Sequence, residues 1–158
     1  MVSIQVLKDF SLFASLDDNE LTAIAPLCHE RTLDAGALCF AQGRKATELH
    51  LCRSGKVDLI VALKEPWGVE VTVHKVREGE VFGWSSVVEP NIYTASAKCT
   101  ESTNEIYIKA PDLTDLFEKN PHIGYILMRN LSAVISSRLT ESRHKLSVEI
   151  AAVTTKEW

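Results

Sequence analysis

The chain has 158 residues, the length of about one domain, and its 46% hydrophobic and 24% charged residues are enough for a core without disulfide bonds. A net charge of −4 and a pI of about 5.7 provide no basic surface for nucleic acid or acidic membranes. The first residues contain no apolar signal core, and no apolar run reaches membrane-spanning length. The sequence therefore predicts a cytoplasmic protein.

A helix is predicted over Leu16–Leu27. Asp17 can cap its N-terminus, and Glu20, three residues later, completes a capping box. Nothing on this helix suggests chemistry, so it is expected to be a packing element.

From about Glu30 to Lys109 the hydrophobic period changes to two, which is typical of strands with one buried and one solvated face. Glycines punctuate the series, and the connections are too short for crossover helices, so the strands should pair antiparallel. The predicted fold class is mainly β with flanking helices, a sandwich, barrel or jelly roll. The predicted inward residues include Leu49, Leu51, Val57, Leu59, Val61, Val69, Val71, Val73, Ile106 and Ile108.

Two helices are predicted after the strands. The first is Asp112–Lys119, ended by Asn120-Pro121, and a long helix then begins at Pro121. Its apolar residues recur at helical spacing from Ile123 to Leu139. We predict a β domain with its N-terminal helix over residues 1–120, a C-terminal helix over 121–150 and a loose tail over 151–158.

The sequence contains no Gly-x-Ser-x-Gly elbow, no phosphate loop and no His-Glu-x-x-His motif, so we do not expect an enzyme. No two histidines are spaced i, i+2 or i, i+4, and no metal site or cofactor is predicted. The four cysteines are dispersed and are expected to be buried thiols. The acidic residues of the strands and turns, and the cations of the long helix, are expected to be solvated. The cysteines are Cys28, Cys39, Cys52 and Cys99. The acidic residues are Glu78, Glu80, Glu101 and Glu105, and the cations are Arg129, Arg138, Arg143 and Lys145.

The segment Gly79 to Ala97 could carry binding chemistry. A turn at Gly79 leads to a second glycine, Gly83, and the next residues are long enough for one helical turn, with Ser85 and Ser86 near its start. Free N–H groups at such a start can bind an anion. The alternative is a tight turn across the barrel mouth in which Trp84 is a packing residue.

These residues resemble the cyclic nucleotide-binding domain of the catabolite activator superfamily. The resemblance includes Ala35-Gly36, Phe40-Ala-Gln-Gly43, Ser54-Gly55-Lys56-Val57, Gly79-Glu-Val-Phe-Gly83 and the flanking helices. It implies a β-roll (a double-stranded β-helix) in which Gly79 to Ala97 is the phosphate-binding cassette. It also implies that the helix from Pro121 lies near the ligand base and in a dimer interface.

The cassette departs from the family pattern at two charged positions. Trp84 stands where the family's binders carry a Glu for the ribose 2′-hydroxyl, and Tyr93 (or Thr94, if the alignment slips by one) stands where they carry an Arg for the phosphate. Each lost charged partner costs about 1.5–3 kcal/mol, so cyclic AMP and cyclic GMP should bind poorly. Lys98 should face away from the site. The predicted ligand contacts are Phe82, Gly83, Trp84, Ser85, Ser86, Tyr93, Thr94 and Ala95.

The sequence therefore favours a stand-alone regulatory sensor for an unknown ligand, nucleotide-like or weakly anionic. The alternative is a vestigial sensor with a closed pocket, filled by Trp84, that acts as a protein-interaction or dimerisation module. The stripe from Ile123 to Leu139 favours a homodimer, unless the whole stripe packs on its own barrel. Residues 151–158 are too few for a helix-turn-helix module, so direct DNA binding is not expected.

Overall fold

The computed structural model describes residues 1–156. The eight strands are β1 (Cys28–Leu33), β2 (Leu38–Phe40), β3 (Glu48–Ser54), β4 (Val57–Ala62), β5 (Glu70–Val76), β6 (Val81–Phe82), β7 (Ser96–Cys99) and β8 (Thr103–Lys109). The α-helices are α1 (Ile4–Leu7), α2 (Asp18–Ile24), α3 (Ala110–Lys119) and α4 (Pro121–Thr155). Short 3-10 turns cover Ser11–Phe13, Ala25–Leu27 and Trp84–Ser86.

The strands form two four-stranded antiparallel sheets, in the orders β1-β8-β3-β6 and β2-β7-β4-β5. In both sheets the neighbours are mostly strands that are distant in the sequence, which is the connectivity of a jelly roll. The predicted fold class, mainly β with a short N-terminal helix and a long C-terminal helix, is confirmed.

The predicted capping box of the N-terminal helix is also present. The Asp17 carboxylate accepts a hydrogen bond from the Glu20 amide at 2.8 Å, and the Glu20 carboxylate accepts one from the Asp17 amide at 3.1 Å. These bonds satisfy donors that the first helical turn would otherwise leave free.

Two hydrophobic clusters divide the interior. One lies between the first sheet and the helices, and the other lies inside the roll between the two sheets. The strands β3 and β8 are therefore covered on both faces. The prediction that their alternate residues are solvated is wrong for His50 and Glu105, which are each 0% exposed, whereas Cys52, also 0% exposed, is buried as expected for the thiols.

The opposite error concerns β5. Val69, Val71 and Val73 were predicted to face inward, but all three are exposed, as is Trp67 in the preceding turn. The strand is an edge strand of the second sheet, and only its last residue, Val76, is buried.

Helix α4 begins at Pro121 as predicted and continues to Thr155, past the predicted end at residue 150. Its first half packs on its own domain through Ile123, Ile126, Leu127 and Leu131. The predicted loose tail is therefore helical from 151 to 155, and its last two positions lie outside the described residues. Within residues 1–156, no helix has the length and apolarity needed to cross a bilayer.

The turn between β3 and β4 requires a glycine for two reasons. Gly55 has a φ of +99°, and a Cβ there would lie 2.5 Å from Thr103 Oγ1 and 2.7 Å from the Ser102 carbonyl oxygen. Gly36 has a similar φ of +89°, but a Cβ there would meet nothing within 4 Å.

We expect Gly55→Ala to lower the free energy of unfolding by about 3 kcal/mol, since left-handed strain and a backbone clash add. Gly36→Ala is the matched control and should cost only about 1 kcal/mol, the strain alone. Urea unfolding followed by circular dichroism would measure both. Equal losses in the two variants would show that the contact of this turn with Ser102 and Thr103 does not contribute.

Candidate functional site

Residues 79–97, called the cassette below, connect β5 through β6 to β7. Gly79 donates its amide to the Cys52 carbonyl at 2.9 Å, which fixes the start of the cassette on β3. Gly83 is left-handed, with a φ of +70°. A Cβ there would lie 2.7 Å from His50 Cδ2 and 2.9 Å from Phe40 Cε1, so the roll's own side chains already fill the space that a glycine leaves open.

The predicted helical turn is a three-residue 3-10 turn, Trp84–Ser86. Ser86 is buried, and its hydroxyl donates to the Gly83 carbonyl at 3.1 Å. The Asn91 side chain donates to the carbonyls of Ser85 and Ser86 at 3.0 and 3.2 Å. The Ser86 hydroxyl therefore holds the turn together and is not directed at a ligand.

Tyr93 closes the far side of the cassette. Its phenol donates to the Glu48 carbonyl at 2.8 Å and accepts from the Glu48 amide at 3.3 Å. His50 Nε2 lies 3.3 Å from the same oxygen. The Tyr93 ring stacks on Phe40 with centroids 3.8 Å apart and an interplanar angle of 10°, and burial raises the pKa of its phenol. Both the ring and the hydroxyl of Tyr93 are therefore occupied by contacts within the chain.

A cavity of about 60 Å³ remains between these groups. One water needs about 10–15 Å³ of such a cavity, so the space holds a few waters and no nucleotide. The structure brings six of the eight predicted site residues to its wall and leaves out Phe82, which is fully buried in the roll, and Ser86. The lining residues are Phe40, Leu59, Gly83, Trp84, Ser85, Tyr93, Thr94 and Ala95.

Trp84 lines this cavity and also packs against the cluster beneath the helices. The guanidinium of Arg138, on α4, lies 5.6 Å from its ring centroid. Arg138 also donates to the Glu80 carboxylate at 2.8 Å, and the same carboxylate lies 3.0 Å from His74 Nε2. These contacts join the cassette to α4.

The prediction of a solvated Arg138 is therefore wrong. Its side chain is only 15% exposed, because α4 lies over the cassette at this point. Burial lowers the pKa of Arg138, and the nearby charges of Glu80 and Glu141 oppose that shift.

A buried polar network lies beneath Tyr93. The Glu105 carboxylate accepts a hydrogen bond from Arg31 and lies 2.9 Å from His50 Nδ1, and Arg31 also donates to Glu48 at 2.9 Å. Burial favours the protonated carboxyl, but the hydrogen bonds and charges of His50 and Arg31 hold the pKa of Glu105 below its ordinary value. This network was missed because Glu105 was predicted to be solvated, and strand alternation gave no signal for it.

Among residues 1–156, no three histidine, cysteine, aspartate or glutamate side chains form a group that could hold a metal ion.

The family model for the cyclic nucleotide-binding domain matches residues 30–120, more than half of the chain. The chain belongs to the cyclic nucleotide-binding domain family. A crystal structure from Geobacter metallireducens, of a protein named for cyclic nucleotide binding, is 33% identical, with a TM-score of 0.78 over 88% of this chain and 99% of that one.

Longer proteins contain a similar region. The cyclic AMP receptor protein of Thermus thermophilus is 28% identical over 142 residues, which are 90% of this chain and 63% of that protein. Glutaminase 2 of Bradyrhizobium diazoefficiens is 28% identical over 144 residues, or 22% of its own length. This chain thus matches one domain-sized part of each.

Within the cyclic nucleotide-binding fold, Lys98 has the predicted orientation. Ala97 is fully buried, and Lys98, the next residue of β7, is exposed. Lys98 therefore supplies no charge to the cavity beside Tyr93.

We expect Glu105→Gln to lower the free energy of unfolding at pH 7 by about 2–4 kcal/mol, because it removes the buried counter-charge of Arg31 and the carboxylate that faces His50. The folded pKa of Glu105 lies below the unfolded value of 4.5. The stability gained from the ionised form is therefore complete above that pH and is lost as the pH falls through the folded pKa.

The difference between the wild type and Glu105→Gln should accordingly shrink in urea titrations carried out below about pH 4.5. The exposed Glu101→Gln is the control and should change stability by less than about 0.5 kcal/mol. A difference that stays constant from pH 7 to pH 3 would contradict the assigned ionisation of Glu105.

Proposed function

We propose that the chain is a regulatory sensor of the cyclic nucleotide-binding family in which Tyr93 keeps the cassette closed to cyclic AMP and cyclic GMP. The observation that carries this proposal is the internal bonding of Tyr93, whose hydroxyl is fixed on the Glu48 backbone and whose ring lies on Phe40. The remaining cavity of about 60 Å³ is too small for a nucleotide.

Charge supports the same proposal. The resemblance places a phosphate-binding Arg where this chain has Tyr93, and a neutral phenol cannot replace a bidentate guanidinium. Arg31, whose guanidinium binds the side chain of Glu48, is already paired with both Glu48 and Glu105. A cyclic phosphate entering beside Tyr93 would therefore meet no unpaired cation among the residues that line the cavity.

We further propose that signals leave the cassette through α4. Trp84 contacts Arg138 from the cassette side, and Glu80 binds the same guanidinium from the residue before β6. A ligand that moves Trp84 or Glu80 would change the position of α4, by an amount set by its differential affinity for the two positions.

The favoured partner of α4 is a second copy of this chain. Leu139, Leu146, Ile150 and Val153 are exposed and fall on one side of the helix at about 3.6 residues per turn. The first half of the predicted stripe, by contrast, is occupied by its own domain through Ile123 to Leu131. We therefore place the dimer contact on the outer half of α4.

The second candidate is a protein-interaction module with a permanently closed pocket. The small cavity favours it, and so does the exposed Trp67 at the tip of the β4–β5 hairpin. Under either candidate we propose a cytoplasmic, non-enzymatic protein that does not itself bind DNA. A metabolite panel screened by thermal shift separates the two, since only a sensor should gain stability from a small ligand.

We expect no saturable heat signal when the wild-type protein is titrated with cyclic AMP or cyclic GMP to about 1 mM. Tyr93→Arg should strengthen binding of either nucleotide by about tenfold or more, because it removes the phenol from Glu48 and adds the missing cation. Tyr125→Arg adds the same charge at an exposed site on α4 and should change nothing. A micromolar Kd for the wild type would refute the closed cassette.

We expect Leu146→Glu and Ile150→Glu to weaken self-association by about tenfold or more, since each places a charge in an apolar contact. Val148→Glu is the matched control, because Val148 is equally exposed, at 54% against 61% and 58%, but lies on the opposite side of the helix. Sedimentation equilibrium would compare the three variants. Equal effects of all three, or a monomeric wild type, would place the dimer contact elsewhere or remove it.

A further inference from the structure

Two cysteines face each other across neighbouring strands of the second sheet. The Sγ atoms of Cys39 on β2 and Cys99 on β7 lie 3.8 Å apart, and both thiols are free. The pairing of these strands shifts between Leu38 and Phe40, which leaves Cys39 as the extra residue of a bulge. Because a bulge reorients the side chains of its strand, both Cys39 and Phe40 pack against the inner cluster of the roll.

The distance between the two sulfurs is short enough for a covalent bond after a small movement. A disulfide has an S–S length of about 2.05 Å, so the sulfurs must approach by less than about 2 Å. Rotation of the two side chains and a small backbone shift at the bulge can supply this movement. Cys39 is half-buried, whereas Cys99 is almost fully buried. A dissolved oxidant therefore meets Cys39 first.

We propose that Cys39 and Cys99 form a reversible disulfide when the protein meets hydrogen peroxide. The Cys39 thiolate attacks the peroxide O–O bond and becomes a sulfenic acid, and one water leaves. The Cys99 sulfur then attacks the Cys39 sulfur, and the sulfenic oxygen leaves as a second water. The two thiols supply the two electrons that reduce the peroxide.

The surroundings set the speed of this reaction. Burial, followed by the negative charge of Glu105, raises the pKa of the Cys39 thiol. The reactive thiolate is therefore scarce at neutral pH. Oxidation should be slow there and should accelerate by about tenfold for each pH unit, as the thiolate fraction does below the pKa. The pair would respond to sustained oxidation and not to brief exposure.

Oxidation of this pair should also reach the cassette. Phe40 follows Cys39 and stacks on Tyr93, while Ala97, two residues before Cys99, is fully buried in the same cluster. Drawing Cys39 toward Cys99 changes the position of Phe40 and hence the stack that holds Tyr93. This step rests on the proposed closure of the cassette by Tyr93, whereas formation of the disulfide does not.

The first experiment tests the bond itself. The folded protein is treated with hydrogen peroxide, blocked with iodoacetamide and mapped by mass spectrometry without reduction. We expect a linked pair of peptides containing Cys39 and Cys99, lighter by two hydrogens and separated again by dithiothreitol. The linked pair should be absent in Cys39→Ser and Cys39→Ala and should persist in Cys28→Ser, whose thiol lies in the other hydrophobic cluster.

The second experiment tests the link to the cassette by comparing NMR spectra of tyrosine-labelled protein before and after oxidation. The ring signals of Tyr93 should shift, and those of Tyr125, on the outer side of α4, should not.

In the first experiment, thiol loss without the Cys39–Cys99 peptide, or the same disulfide pattern in Cys39→Ser, would overturn the proposed disulfide. A disulfide with unchanged Tyr93 signals would overturn only its connection to the cassette.

Discussion

The buried carboxylate of Glu105 connects three strands of the roll. Its partners, Arg31 and His50, come from β1 and β3, the two strands that flank β8. Removing one partner of a buried ion pair typically costs about 3–5 kcal/mol. A slip of one residue in β8 would turn Glu105 toward the apolar cluster under the helices, so the network fixes the register of all three strands.

The same network determines the shape of the candidate site. Glu105 fixes His50, and the His50 ring lies against Phe82 and Phe40 and within 3.3 Å of the Tyr93 hydroxyl. Position 83 accommodates only a glycine, because the His50 ring and Phe40 occupy the space that a Cβ would need. Opening the cassette therefore means breaking the stack and hydrogen bonds of Tyr93, at about 1 kcal/mol for each hydrogen bond, while the charged pair below stays intact.

Local patterns predicted the elements well because they depend on neighbours in the sequence. The capping box at Asp17, the proline start of α4 and the outward Lys98 all follow from spacing alone. The burial of Glu105 and Arg138 could not be predicted in this way. Both are covered by elements far along the chain, and a period of two reads the same whether a strand has one buried face or two. The glycine at position 83 indicated that another group approaches the backbone closely, but the sequence could not tell whether that group is a ligand or the His50 side chain.

The two halves of helix α4 differ in burial, since the first packs on the domain and the second is exposed. Its first half is held to the domain by buried leucines and isoleucines and by Asn130, which donates to the carbonyls of Leu12 and Ala14 at 2.8 Å. Arg138 is near the boundary, and the exposed stripe continues beyond it to Val153, about 22 Å further at 1.5 Å per residue. Because a continuous helix is stiff over that length, a small rotation at Arg138 becomes a larger displacement at its end. Under the proposed coupling, a small movement of Trp84 or Glu80 would therefore be enough to displace the exposed end of α4.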